Sequence, residues 1–176
     1  MNPGHEVILW TVRISVAFYA AALWILCRPG GLPEASTDRY RAIFRWCWGL
    51  SWFWCVIHVI AAFHFQHRWS FSAGLKHTAE MTDRVVGVHW DGGMYINFVF
   101  LTAWAFDAFQ IATGRRSTSQ LMQWAAAFMM FNATVVFGPP WWWIPVILLI
   151  GALAVRRIGA ASRRKNDNDS VSLPVN

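Results

Sequence analysis

Charge is what this sequence has least of. Only 14% of its 176 residues are Asp, Glu, Lys or Arg, against about 25% in an ordinary soluble domain. So little charge cannot clothe a water-soluble body of this length. Cysteine is also scarce. Three thiols make no disulfide framework, and their spacing makes no zinc knuckle. No soluble insertion is long enough to fold alone, so a second domain is excluded. No internal repeat or inverted half is present, which argues against a secondary transporter. A Gly-x-x-x-Gly pair, the usual sign of close helix dimerisation in a membrane, is absent as well.

What is present is apolar. Hydrophobic residues make up 56% of the chain, with thirteen Trp and thirteen Phe. Five apolar runs stand out, at Val7–Cys27, Ile43–Phe65, Met94–Thr113, Leu121–Phe137 and Trp141–Val155. A membrane-spanning helix needs about 20 such residues. The first three runs meet that length, and the last two are separated only by Gly138-Pro139-Pro140. Neither proline continues a helix normally, so a tight helical hairpin is expected there.

The fold class that follows is all-α: an integral membrane bundle of five transmembrane helices at about 7–27, 43–65, 94–113, 121–137 and 141–157. Residues 1–159 form this domain, and 160–176 are expected to be a disordered cytoplasmic tail. The first span is read as a retained helix. It lacks a basic leader and a small-residue cleavage site and carries Arg13 in its middle, unlike a signal peptide.

The net charge of +6 raises nucleic acid as a partner, but the basic residues flank the apolar runs, so none is expected. They act as orientation signals. With five spans, one side holds eleven Lys or Arg and the other three. The positive-inside rule then puts the N-terminus outside and the C-terminus in the cytoplasm. Tryptophans collect near the expected interfaces: Trp10, Trp69, Trp90 and Trp141–Trp143 on the outer side, Trp24, Trp46, Trp48 and Trp124 on the inner. The cysteines avoid the outer loops, and Arg163-Arg164-Lys165 would rest near anionic lipid. The bilayer is thus the expected partner, in a bacterial inner membrane, with a homo-oligomer or membrane-complex partner as the further expectation.

All six histidines, His5, His58, His64, His67, His77 and His89, fall on the outer side in this topology. The connection from Gln66 to Gly93 holds three of them. Its middle has a helical stripe, Leu75, Ala79, Thr82 and Val86, with i,i+4 charge pairs Lys76–Glu80–Arg84, and Gly87 should end it. A short amphipathic helix across the outer mouth is expected. His64/His67 and His77/Glu80 each lie three apart, on one helix face, and imidazole and carboxylate suit iron, zinc, manganese or copper. His64, His67, His77, His89 and Glu80 are therefore candidate metal ligands, with Asp91 a further oxygen donor. The cofactor would be a transition metal (Fe, Zn or Cu) or haem, with redox or hydrolytic chemistry to match. No His-Glu-x-x-His or repeated histidine box is present.

Four polar residues, Arg13, His58, Asn97 and Asn132, lie in the outer halves of four different spans. An ionisable group in a membrane is expensive and normally faces the bundle interior. The expectation is a small polar chamber that binds a cofactor, with Glu6 or Asp91 beside Arg13. Asp107, nearer the cytoplasmic end, is expected to pair with Arg45, Arg115 or Arg116. The alternative reading is a non-catalytic membrane subunit or small-molecule binder, in which these groups only hold helices and loop together.

Two stretches carry a resemblance. One is His64-Phe-Gln-His67-Arg-Trp69-Ser70, continuing through His77-Thr78-Ala79 and Gly92-Gly93-Met-Tyr95-Ile-Asn97 to Trp104 and Asp107. The other is Phe131-Asn132-Ala133-Thr134-Val135-Val136-Phe137. Together they resemble a group of small bacterial multi-span integral membrane proteins to which no activity is assigned. The resemblance implies a membrane bundle and transfers no catalytic role. Size, span number and Trp content are also similar to the porphyrin-binding tryptophan-rich sensory protein family. Its Trp-x-Pro-Pro-rich first loop has no counterpart at the matching place, and Gly138-Pro-Pro-Trp-Trp-Trp-Ile-Pro145 lies between spans four and five instead. That likeness is convergence of composition.

Overall fold

The computed structural model describes residues 3–27, 37–115, 118–136, 138 and 140–171. Among them the chain is all-helical, with no strand. The helices are α1 (Pro3–Leu26), α2 (Thr37–Phe65), α3 (Phe71–Val86), α4 (Gly93–Ala112), α5 (Gln120–Phe131) and α6 (Trp143–Val171). A π-helical turn (Asn132–Val136) and a short 3-10 turn (Pro140–Trp142) join α5 to α6. The expected cytoplasmic loop at 28–36, Pro139 of the expected hairpin, and residues 172–176 lie outside the described residues.

Among the described residues three helices are long and apolar enough to cross a membrane: α1, α2 from Asp38, and α4. The other two expected spans come out shorter. α5 has 12 residues, about 18 Å at 1.5 Å per residue, and the apolar part of α6 ends at Arg156. A hydrocarbon core is about 30 Å thick. The π-helical turn explains part of this shortening. Thr134 Oγ1 bonds the Met130 carbonyl at 2.7 Å and Asn132 Nδ2 the Phe128 carbonyl at 2.7 Å. Such back-bonding competes with the main-chain ladder and interrupts it. Gly138 follows, where any Cβ would collide with the Thr134 carbonyl.

α6 departs from expectation at its far end. The helix runs on to Val171, past residue 160, where disorder was expected. A helix already nucleated by its apolar part extends at one backbone bond per added residue, and the Arg and Lys that follow are good helix formers.

α1 and α2 form a close antiparallel pair. α1 buries Gly4, Thr11, Ser15, Tyr19 and Ala22, a stripe of mostly small residues that lets α2 approach. A Cβ at Gly4 would lie 2.7 Å from the Phe65 ring. Midway, Ser15 Oγ donates to the Ser51 carbonyl and Ser51 Oγ to the Ser15 carbonyl, each at 2.8 Å and fully buried. Each hydroxyl is thus satisfied by the opposite backbone, as a low-dielectric interior requires.

The core lies toward the end of the bundle remote from α3. Tyr19, Trp48, Phe100 and Trp104 interlock there with Met122, Ala126 and Met130 of α5. Trp48 and Trp104 meet edge to face at 5.3 Å, a favoured aromatic geometry. Asp107 ties this core together, and among the described residues it does so through groups other than the arginines the sequence suggested. Its Oδ2 accepts from Trp48 Nε1 at 3.0 Å and its Oδ1 from the Ser119 backbone N–H at 3.2 Å. Ser119 is the N-cap of α5, so the carboxylate also sits where a helix dipole favours negative charge.

Large apolar side chains elsewhere point outward. Leu121, Trp124 and Phe128 of α5 are 80%, 71% and 66% exposed, a stripe no globular surface in water would carry. This is the surface of a chain built for an apolar solvent.

Candidate functional site

The helix expected in the Gln66–Gly93 connection forms as α3. Ser70 caps its start, its Oγ accepting from Ala73 N. Gly87 ends it with φ 70° and donates to the Asp83 carbonyl, a left-handed C-cap that glycine enters without steric cost. Lys76 and Glu80 pair at 4.0 Å. Gly74 and Ala79 are buried, and Gly74 lets Met94 of α4 reach the backbone. Val86, expected on the packed stripe, is 63% exposed, because the stripe turns off α4 as the helix ends.

Arg68 and Trp69 link α2 to α3 with φ of 49° and 61°. Two consecutive left-handed non-glycine residues cost about 1–3 kcal/mol each. They are held by Trp69 N–H to the Phe63 carbonyl at 2.9 Å and Ser70 N–H to the His67 carbonyl at 2.8 Å. The reversal lays α3 back over the end of α2 and brings His77 above His67, with ring centroids 5.3 Å apart. His67 also meets Phe63 edge-on. Burial, and then the neighbouring His77, hold the His67 imidazolium below the ordinary histidine range. His77 Nε2 accepts from the Gln66 amide at 3.0 Å, which places the His77 proton on Nδ1.

The remaining histidines go elsewhere. His64 accepts the Trp69 indole N–H at Nδ1, 3.2 Å, and its ring packs on Phe65 and Trp69. His89 is exposed and lines an open hollow of about 380 Å³ with Leu75, Lys76, Ala79 and Asp91. Among the described residues no three His, Cys, Asp or Glu side chains are placed to hold a metal ion. Of the expected set His64, His67, His77, His89 and Glu80, only His67 and His77 come together. The i,i+3 argument assumed one continuous helix through 64 and 67. α2 ends at Phe65, so the two histidines fall on different turns of chain.

The polar layer does not assemble either. His58 Nδ1 donates to the Ile8 carbonyl at 3.0 Å and lies 3.4 Å from Thr11 Oγ1. It therefore faces α1 on the Thr11 side. Arg13 is two residues further on, about 200° around the same helix, and points away. Its guanidinium lies 5.1 Å from the Trp10 ring and 5.8 Å from the Trp141 ring, with neither Glu6 nor Asp91 paired to it. Asn97 is exposed on α4, and Asn132 is engaged by its own helix.

Two groups escaped the sequence reading. Gln66 had no signal beyond its adjacency to His67. The Trp10–Arg13 pair had one, since residues three apart on a helix are neighbours.

No protein-family profile, curated protein or solved structure matches the chain.

Proposed function

We propose that the chain is a non-catalytic integral membrane protein, five-spanning with its N-terminus outside a bacterial inner membrane, whose histidines fasten an outer helix onto the bundle. The observation that carries this reading is where those imidazoles go. His58 binds α1, His64 holds Trp69 of the strained reversal, and His77 holds Gln66 of the α2 end. Each uses at least one ring nitrogen on protein, and the His58 and His77 bonds join different helical segments. The short α5 and the short apolar part of α6 complete the bundle as a hairpin. Their short span is accommodated by local thinning of the bilayer or by tilt of their neighbours.

One observation favours a second reading. Two imidazoles sharing a divalent metal at about 2.0–2.1 Å place their centroids about 5 Å apart, close to the 5.3 Å between His67 and His77. Such a site would be two-coordinate in protein, completed by water or a partner's ligands.

Metal analysis and an absorption spectrum of detergent-purified protein separate the two, wild type beside His67→Ala/His77→Ala. A metal-free, colourless wild type, with α3 loosened in the variant, is the expected outcome. Stoichiometric metal or a Soret band that disappears in the variant would overturn the non-catalytic reading.

A further inference from the structure

Arg13 is a cation in the first span without an acid. Among the described residues the ion pairs are Arg41–Asp38 and Lys76–Glu80, and neither involves α1. The two tryptophan rings attract the guanidinium through their faces, but rings accept no ordinary hydrogen bond. Arg13 Nε is buried with no hydrogen-bond partner. So is Nε1 of Trp142, whose ring stands 5.7 Å from that of Trp141. Leaving a buried donor unmade is costly, and more so where water is excluded. A guanidinium with no acid and an unsatisfied Nε calls for an anion with acceptor oxygens.

We propose that Arg13, Trp10 and Trp141 bind the phosphate headgroup of an anionic phospholipid, with one acyl chain lying in the cleft between α1 and α6. The inference rests on the membrane reading above. Side chains on a helix lean toward its N-terminus, so Arg13 reaches toward the outer end of α1. Trp10 and Trp141 are 57% and 54% exposed, and amphipathic indoles favour headgroup level. A guanidinium presents a planar fork of donors that matches two phosphate oxygens at once.

α1 and α6 are clamped at two places. One is the Arg13–Trp141 contact. The other is Arg156, whose guanidinium lies 4.4 Å over the Trp24 ring while Nη1 donates to the Trp24 carbonyl at 3.0 Å. Between the clamps the two helices scarcely pack. Ala17 of α1 and Ala152 of α6 are exposed, and a Cβ at Gly151 would meet nothing within 4 Å. The stretch between the two clamps, from Arg13 to Trp24, is about 16 Å along α1.

The test uses full-length protein in dodecyl maltoside with added phosphatidylglycerol or phosphatidylcholine of identical chains. Retained lipid is counted by native mass spectrometry and the thermal midpoint is followed. Wild type should hold phosphatidylglycerol in preference to phosphatidylcholine. Arg13→Gln should lose that preference about tenfold, the equivalent of one charge-assisted hydrogen bond. Arg13→Lys, a point charge without the fork, should fall between, and remains informative if the Gln variant folds poorly. Equal retention of both lipids by wild type, or undiminished preference in Arg13→Gln, would overturn the proposal. So would stabilisation by inorganic phosphate equal to that by phosphatidylglycerol, which would point to a free anion. Loss of a dimer or a co-purifying protein in Arg13→Gln, with lipid preference intact, would assign the site to a carboxylate on another transmembrane helix. Release of the wild-type protein from membranes by carbonate would instead refute the membrane reading itself.

Discussion

Removing the Asp107 carboxylate should weaken the bundle through one particular partner, Trp48. The indole is 1% exposed, packed among Phe44, Tyr19 and Trp104, and its N–H reaches Asp107 Oδ2 at 3.0 Å. In Asp107→Ala that donor stays buried with nothing to bind, at a cost of about 1–3 kcal/mol. The Ser119 N–H at the start of α5 loses its acceptor too, but it is exposed, and water replaces the carboxylate there. The Trp48 bond therefore dominates. Interhelical hydrogen bonds in membranes average about 0.6 and reach about 1.7 kcal/mol in double-mutant cycles. A charged acceptor belongs at the upper end, so a coupling of about 1–1.5 kcal/mol between positions 48 and 107 is expected. The cycle consists of wild type, Asp107→Ala, Trp48→Phe and the double variant. Each is unfolded by dodecyl sulfate in mixed micelles and followed by circular dichroism. Trp48→Phe loses indole packing whether or not the carboxylate is present, but in the double variant no donor is left unpaired, so its loss should fall short of the sum of the two single losses by about 1–1.5 kcal/mol. Strict additivity, within about 0.3–0.5 kcal/mol, would refute the idea that the carboxylate acts through the indole.

The serine pair should behave in the opposite way. Ser15→Ala and Ser51→Ala each delete one bond to a carbonyl that its own helix still satisfies, so each should cost about 0.6 kcal/mol. Their effects should add in the same unfolding assay, and a strong coupling would contradict the two-bond description. Gly4→Leu should separate the start of α1 from the end of α2, since even its Cβ would sit 2.7 Å from Phe65. A loss of about 1–3 kcal/mol is expected, and an unchanged unfolding midpoint would disprove that contact. For His67 the folded imidazole resists protonation, chiefly through burial and then through His77. Its contribution is therefore complete above the ordinary value of about 6.5 and is lost as pH falls through the lower folded value, because the unfolded chain takes up the proton first. The protection of α3 amides against hydrogen exchange, taken relative to the intrinsic rate at each pH, should fall on going from about pH 7 to 5 in wild type. His67→Gln should flatten that dependence, and an identical profile in the variant would exclude His67 as its source.

How much of this was legible beforehand depends on the range of the interaction involved. Class and helix positions come from composition and from apolar runs, which act over one element at a time. The end of α3 illustrates the point: Gly87 is a local signal, and it stops the helix where the sequence places it. The oxygen and nitrogen partners did not come through in the same way. Asp107 was paired on paper with arginines of opposite charge, but it lies where α2, α4 and α5 meet, and an indole and a backbone amide reach it first. His64 and His67 looked like one face because a helix was assumed to continue. Two left-handed residues, Arg68 and Trp69, end that assumption and send His67 to His77 instead.

The sequence by itself determined that this chain is helical, apolar beyond what water tolerates, and crowned by a short capped helix. Those properties follow from residue type and periodicity. Only the tertiary structure decided which polar groups meet. Arg13 and Thr11 are two residues apart yet face opposite sides of α1, one toward tryptophans and the other toward His58. At 100° of rotation per residue, a layer of polar side chains at one depth is not a site until the neighbouring helices choose which face each one sees.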